Sequence, residues 1–227
     1  MKKFWNWVKN ENERTLYFDG YIAEDSWFQD EITPKQFKAE LSEASDNISV
    51  WLNSPGGDVF AATQIYNMIK EYPGKVVVKI DGLAASAASV IAMAGDEIHM
   101  SPTGMLMIHN PSTAIFGEAS DFQSGIAMLN EVKEGIINAY EQKTGLSRIK
   151  LAHMMDAETW MSAKKAVSLG FVDKVLYESP DENEQTEGFI FDKVTVVNAL
   201  KSKLPQEKTQ EGTPYEQLEK RLNLLKY

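Results

Sequence analysis

The chain has 227 residues, 43% of them hydrophobic and 25% charged. These are ordinary globular proportions, which exclude wholesale disorder and fibrous classes and leave room for one compact domain with an appendage. Twenty-three basic against 33 acidic side chains give a formal net charge of −10; with no local basic stripe to offset it, a phosphate backbone is repelled and no nucleic acid is expected as a partner.

Cysteine is missing, so there is no disulfide framework, thiolate metal site or cysteine nucleophile to propose. The first residues, Met1-Lys2-Lys3-Phe4-Trp5-Asn6-Trp7, turn polar before the apolar centre of a secretory signal develops. The least polar stretch, 82–95, is built of small residues and is too short for a bilayer. The expectation is a soluble, cytoplasmic protein that meets no membrane.

Residues 15–22 are β-branched and aromatic and predict a strand, and 32–44 predict a helix with Thr33 as cap and Pro34 in its first turn. A short strand over 48–52 stops at Asn53-Ser54-Pro55-Gly56-Gly57, which can continue neither helix nor sheet. Val59, Ala62, Ile65, Tyr66 and Ile69 recur at helical spacing, predicting an amphipathic helix over 59–72 that ends at Pro73-Gly74. A valine-rich strand over 75–80 leads to a turn at Asp81-Gly82 and a helix of small residues over 84–94. Short strands follow at 97–100 and 105–108, then a long helix at 117–144, a short one at 162–169 and a strand at 172–176.

Strand, glycine-rich turn, helix, strand, turn, helix is the order of a parallel sheet with crossover helices, so the fold class is α/β. Residues 1–14 form an N-terminal segment and 15–177 the main domain. From Glu178 to Glu187 the chain is acidic with no basic residue, a solvated linker into a C-terminal extension over 178–227 with an amphipathic stretch at 215–225.

Active sites of such sheets form at the carboxyl ends of parallel strands. Gly56-Gly57 stands at one such end and 82–86 at the next. Paired glycines let backbone amides approach a ligand oxygen. Ser86 stands where a helix starts, and helix amides favour negative charge nearby. Composition leaves two readings of it open, an acyl-transfer nucleophile or a serine of a tightly packed small-residue helix bonded to its own backbone.

Three histidines exist. His109 follows the apolar strand 105–108 and precedes Asn110-Pro111, a turn position suited to a general base. His99 falls inside a strand and reads as structural, and His153 as a surface or core residue. Asp156 and Glu158 can orient a histidine or simply favour a helix dipole. There is no His-Glu-x-x-His, no calcium loop and no phosphate-binding Gly-x-x-x-x-Gly-Lys, so neither a metal site nor ATP hydrolysis is expected.

Asn53-Ser54-Pro55-Gly56-Gly57-Asp58-Val59, Gly82-Leu83-Ala84-Ala85-Ser86-Ala87-Ala88, Met107-Ile108-His109-Asn110-Pro111 and Glu158-Thr159-Trp160-Met161-Ser162-Ala163, taken together, resemble the ClpP serine peptidases, the proteolytic subunits of the Clp protease. The resemblance implies a ClpP/crotonase-like spiral of β-β-α units with a long handle helix. It implies Ser86 as nucleophile, His109 as base and Glu158 as the acid that orients it, with Asp156 as the fallback acid. It implies an oxyanion hole from the amides of Gly57 and Ala87, and an extended substrate running past Gly56 and Pro111.

Two positions depart from the family pattern: Ala87-Ala88 where Met-Gly is usual, and Glu158 where aspartate is usual. The resemblance further implies protein or peptide substrates, no cofactor and a homo-oligomeric ring, single or stacked. The unmatched N-terminal segment and the acidic C-terminal extension resemble the ClpP-like head maturation proteases of phages and prophages. That implies capsid or scaffold proteins as partners in the bacterial host cytoplasm, in association with the procapsid. The alternatives are a housekeeping-type subunit fed by an ATPase unfoldase, a crotonase-type acyl-CoA enzyme, and a non-catalytic capsid-assembly component.

Overall fold

A computed structural model describes residues 5–10, 13–23, 33–41 and 47–178. The extension beyond Glu178, with its acidic linker and amphipathic stretch, lies outside the described residues.

The described residues form one mixed sheet flanked by helices. Strand β1 (Trp5–Asn10) pairs antiparallel with β2 (Glu13–Asp19), which runs parallel to β3 (Ile48–Ser54) and, beyond it, β4 (Val76–Ala85). Residues 5–10 and 13–14 of the N-terminal segment are therefore part of the sheet, with β1 at its edge. Helix α1 (Pro34–Leu41) connects β2 to β3; Pro34 opens it as expected, and the Thr33 carbonyl accepts from the Phe37 amide at 3.0 Å. Helix α2 (Val59–Lys70) connects β3 to β4 and is capped by the Asp58 carboxylate, which accepts from the Ala61 amide at 2.7 Å.

Alternation sets the two faces of the sheet. The rows Leu16–Val50–Val78–Ile98 and Phe18–Leu52–Ile80–Met100 lie in register across β2, β3, β4 and β5 (Glu97–Met100) and are buried. The intervening row, Tyr17–Trp51–Lys79–His99, faces the other way. There Tyr17 stacks on Trp51, and the Lys79 ammonium sits 5.4 Å from the Trp51 ring centre.

One expectation is corrected in β4. Asp81-Gly82 makes no turn: the strand runs on to Ala85, and helix α3 covers only Ala87–Ala92. The cause is tertiary. Asn53 Oδ1 accepts from the Leu83 amide at 3.1 Å, and Gly82 leaves room for that side chain. The register with β3 shifts between Leu52 and Ser54, and Leu83–Ala85 gains a new neighbour, β6 (Met105–Ile108). So β4 forks, its first half pairing with β5 and its second with β6. Pro102, which cannot donate to a ladder, stands in the turn that separates these two strands.

All six residues of α3 are buried, so its run of Ala and Ser is the packing centre of the domain. Helix α4 (Ala119–Thr144) ends at Gly145 in the left-handed region (φ 68°) and is the expected long helix. Its second half packs through Ile136, Ile137 and Tyr140, while its first half exposes Phe122 and Ile126. Helix α5 (Arg148–Asp156), strand β7 (Thr159–Ser162), helix α6 (Ala163–Ser168) and the two-residue strand β8 (Lys174–Val175) complete the fold. The α/β class expected from the residue pattern is what the structure has. Among the described residues no helix is long and apolar enough to cross a membrane.

Candidate active site

Three strand ends meet at one place. Strand β6 lies between β4, to which it is parallel, and β7, to which it is antiparallel. Ala85 pairs with Met107 and Ile108 with Thr159. Ser86 therefore leaves β4 beside Ile108, and His109 leaves β6 opposite Glu158, which immediately precedes β7. Residues 23 and 49 positions away from His109 are brought to it by strand register alone.

Ser86 takes an uncommon backbone conformation, φ 54° and ψ −126°, between strand and helix. Positive φ in a non-glycine residue is strained and persists only where its surroundings enforce it. Here the Ser86 amide donates to Met107 O at 3.0 Å, and the Ser86 carbonyl accepts from the Ser89 amide at 3.0 Å and from Ser89 Oγ at 2.5 Å. Ser89 Oγ in turn lies 2.7 Å from the buried Tyr140 hydroxyl of α4. Burial raises the Tyr140 pKa, so this hydroxyl stays neutral. The turn that carries Ser86 is thus fastened from β6 on one side and α4 on the other.

Gly56 and Gly57 form the neighbouring wall. Gly56, at φ 99°, packs so closely that a Cβ there would lie 2.7 Å from Ala85 O and from Ser86 Cβ. Gly57, at φ 146°, is bridged to Ile22: the Ile22 amide donates to Gly56 O at 3.0 Å, and the Asp58 amide to Ile22 O at 2.8 Å. In that parallel bridge the N–H of Gly57 itself points away from Ile22. The Ala87 N–H, first of α3, has no acceptor within its own helix.

His109 Nε2 lies 2.8 Å from Ser86 Oγ. Glu158 is held at φ 47°, its amide donating to Met155 O at 3.1 Å and its Oε1 accepting from Trp160 Nε1 at 3.4 Å. Asp156, the other carboxylate considered, points elsewhere: its Oδ1 accepts from Asn110 Nδ2 at 2.9 Å and from Lys133 Nζ at 2.5 Å. These bonds, that from Lys133 first, hold the Asp156 carboxyl below the usual carboxylate range.

A cavity of about 200 Å³ opens over these groups, with Gly57, Ser86, Ala87, His109 and Pro111 on one side and the apolar Val90, Leu129, Val132 and Ile136 on the other. The arrangement joins a hydroxyl, an imidazole in contact with it, two candidate backbone donors and an apolar recess. It suits nucleophilic attack on an acyl group. Among the described residues no set of three or more His, Cys, Asp or Glu side chains is gathered as a metal site needs.

The other two histidines lie apart from this cavity. His99 is buried in β5 with Nε2 2.9 Å from Glu97 Oε2, and His153 is exposed on α5. Reasoning from sequence missed Asn110, Lys133, Ser89 and Tyr140 as supports of the site. Asn110 at least adjoins His109 in a motif already singled out.

A family model described as Clp protease matches residues 9–179. The ATP-dependent Clp protease proteolytic subunit 1 of Protochlamydia amoebophila is 33% identical over 168 residues, 72% of this chain and 81% of that protein. The subunit 1 of Chlamydia muridarum is 32% identical over 174 residues, 75% and 90% of the two chains. The ATP-dependent Clp protease proteolytic subunit of Bacteroides fragilis is 31% identical over 154 residues, 65% and 74%.

Proposed function

Because the chain belongs to the Clp protease family and is thereby a peptidase, we propose that it is a serine endopeptidase with Ser86 as nucleophile, His109 as base and Glu158 as the acid behind His109. The single observation that carries this reading is the 2.8 Å contact between His109 Nε2 and Ser86 Oγ at a strained strand-to-helix turn.

In this scheme His109 Nε2 takes the Ser86 proton as Oγ bonds to the scissile carbonyl carbon. The amides of Gly57 and Ala87 receive the oxyanion, each such donor being worth about 3 kcal/mol of barrier. The tetrahedral adduct collapses, its C–N bond breaks, and His109 hands its proton to the departing amine. Water, deprotonated by the same imidazole, then bonds to the acyl carbon; the C–Oγ bond breaks, His109 returns the proton to Ser86 Oγ, and the carboxylic acid product leaves. Glu158 keeps the imidazole oriented and balances its transient charge. No cofactor enters these steps. The substrate runs extended past Gly56 and Pro111, with an apolar side chain in the recess beside Val90 and Val132.

The substrates we assign are capsid or scaffold proteins of a phage prohead, processed in the bacterial cytoplasm by a homo-oligomeric ring. Support comes from the acidic extension after 177 and from the apolar Phe122 and Ile126 exposed on the first half of α4, which a second copy would cover. The printed names of the relatives, "ATP-dependent" proteolytic subunits, favour a second reading, a subunit fed by an ATPase unfoldase. Cleavage of co-expressed capsid or scaffold protein without any ATPase separates the two.

A fluorophosphonate should label Ser86 covalently, and Ser86→Ala should abolish the label. His109→Ala should lower peptide hydrolysis by about 10⁴-fold or more. A chain that takes no label and hydrolyses no peptide would instead fit a non-catalytic assembly component or a crotonase-type enzyme.

A further inference from the structure

The geometry points to Asp156 as a positioning residue: its carboxylate, braced by Lys133, clamps Asn110 and thereby fixes the segment on which both His109 and the substrate-flanking Pro111 are carried. The inference rests on the serine peptidase reading and adds to it a role for three residues outside the triad.

His109, Asn110 and Pro111 are consecutive, and no regular element follows them until α4 begins at Ala119. Beyond the end of β6 this segment needs other fastenings. One is far along the chain: Ile115 occupies the space over Gly125, where a Cβ would lie 1.9 Å from Ile115 Cδ1. Next to His109 the fastening is the Asn110 side chain, whose Nδ2 donates to Asp156 Oδ1 at 2.9 Å. The Asn110 Oδ1 is buried and meets no donor among the described residues, so that side chain is held through Nδ2.

Asp156 is the last residue of α5, and Lys133, about four turns into α4, reaches the same Oδ1 at 2.5 Å. One oxygen atom therefore ties together the loop after β6, the end of α5 and the middle of α4. Charge-assisted bonds of this kind are stronger and more directional than neutral ones. A displacement of the imidazole by about 1 Å can lower a rate by up to about 100-fold, so a fastening one residue away bears directly on the rate of proton transfer from Ser86.

The full-length chain tests this through the rate of fluorophosphonate labelling at Ser86, with peptide kcat and KM read in parallel. Asp156→Ala and Asn110→Ala should each slow labelling about tenfold, and the double variant should be no slower than either single one, as members of one coupled unit behave. For a short peptide the loss should fall in kcat. Asp156→Asn, which keeps an acceptor for Asn110, should recover part of the rate. Glu134→Gln, which removes an exposed partner of Arg148 on α4, should label like the parent.

Additive losses, or single variants that label at the parent rate, would overturn the clamp while leaving the peptidase reading intact. A parent chain that takes no label would overturn both. Thermal melting of each variant separates a slowed site from a lost fold, because a merely structural role would lower the melting point without the non-additive signature in rate.

Discussion

The two halves of the candidate site are built from different materials. The half that carries Ser86 is backbone: Gly56 and Gly57 at positive φ, Ser86 at φ 54°, and neighbours Ser54, Ala85 and Ala87 that are almost wholly buried. The half that carries His109 and Glu158 depends on side chains, among them Asp156, whose side chain is 53% exposed, and Lys133, at 22%. A backbone-built wall has few ways to relax and responds little to salt or pH. A side-chain-built wall can be loosened by one substitution, and solvent screens its charges.

The largest effect that separates the halves should come from Gly57→Ala. A Cβ there would lie 2.0 Å from Ile22 O and 2.9 Å from Ile22 N, so the backbone must move and the 57 amide with it. Loss of one oxyanion donor lowers kcat by about 10²–10³-fold. Peptide hydrolysis should fall by that much, and the melting point should drop because the Ile22 bridge is also broken. If Gly57→Ala retains parent kcat, the wall is not backbone-limited and the contrast between the two halves disappears.

This asymmetry matches what could be read before the fold was known. Gly56-Gly57 and Ser86 are legible because backbone requirements leave local marks: glycine where φ is positive, small residues where α3 is buried. Ser86 itself stayed ambiguous on composition, since a packed helix and an elbow use the same residues. Asp81-Gly82 misled because its turn propensity is local, whereas the β4 fork is decided by Asn53 and by β6, far away in the chain. Strand β7 went unread for a similar reason: four residues make no periodic signal, and pairing with β6 is what extends them. Asn110, Asp156 and Lys133 meet across 46 and 23 positions, and nothing in the local sequence announces that meeting.

A smaller effect, on stability more than on rate, is expected where the two halves share a support. Ser89 Oγ bonds both the Ser86 carbonyl and the buried Tyr140 hydroxyl. In Ser89→Ala that hydroxyl loses this buried partner, at a cost of about 1–3 kcal/mol. Denaturant unfolding should show the drop in midpoint with an unchanged slope. The double variant Ser89→Ala with Tyr140→Phe should recover part of it, since removing both partners leaves fewer polar atoms stranded. No recovery would mean that Tyr140 has another way to satisfy its hydroxyl.

The smallest effect belongs to the start of β5, at the end of the strands away from the site, which is also made of side chains but has no part in the chemistry. There Glu97 is bonded by Lys75 and by His99, chiefly the former, and its pKa is pulled down to about 2. A carboxylate held below its unfolded value adds stability above the ordinary carboxylate range and loses it as pH falls toward 2. His99 is shifted downward as well, mainly by burial, with the Glu97 bond acting in the opposite sense. Its contribution therefore weakens once pH drops below the usual imidazole range, because the unfolded chain binds that proton more readily. Glu97→Gln removes the first of these effects and exaggerates the second. The variant should melt below the parent at pH 8, where the Glu97 contribution is fully present, fall further behind near pH 6 where an unassisted His99 resists protonation more, and show a flatter loss between pH 4 and 2. Peptide hydrolysis at pH 8 should be unchanged, because β5 supplies no group to the cavity over Ser86. A hydrolysis rate that followed Glu97→Gln would mean that the two ends of the strands are coupled, and that rigidity of the backbone-built half depends on charges it does not touch.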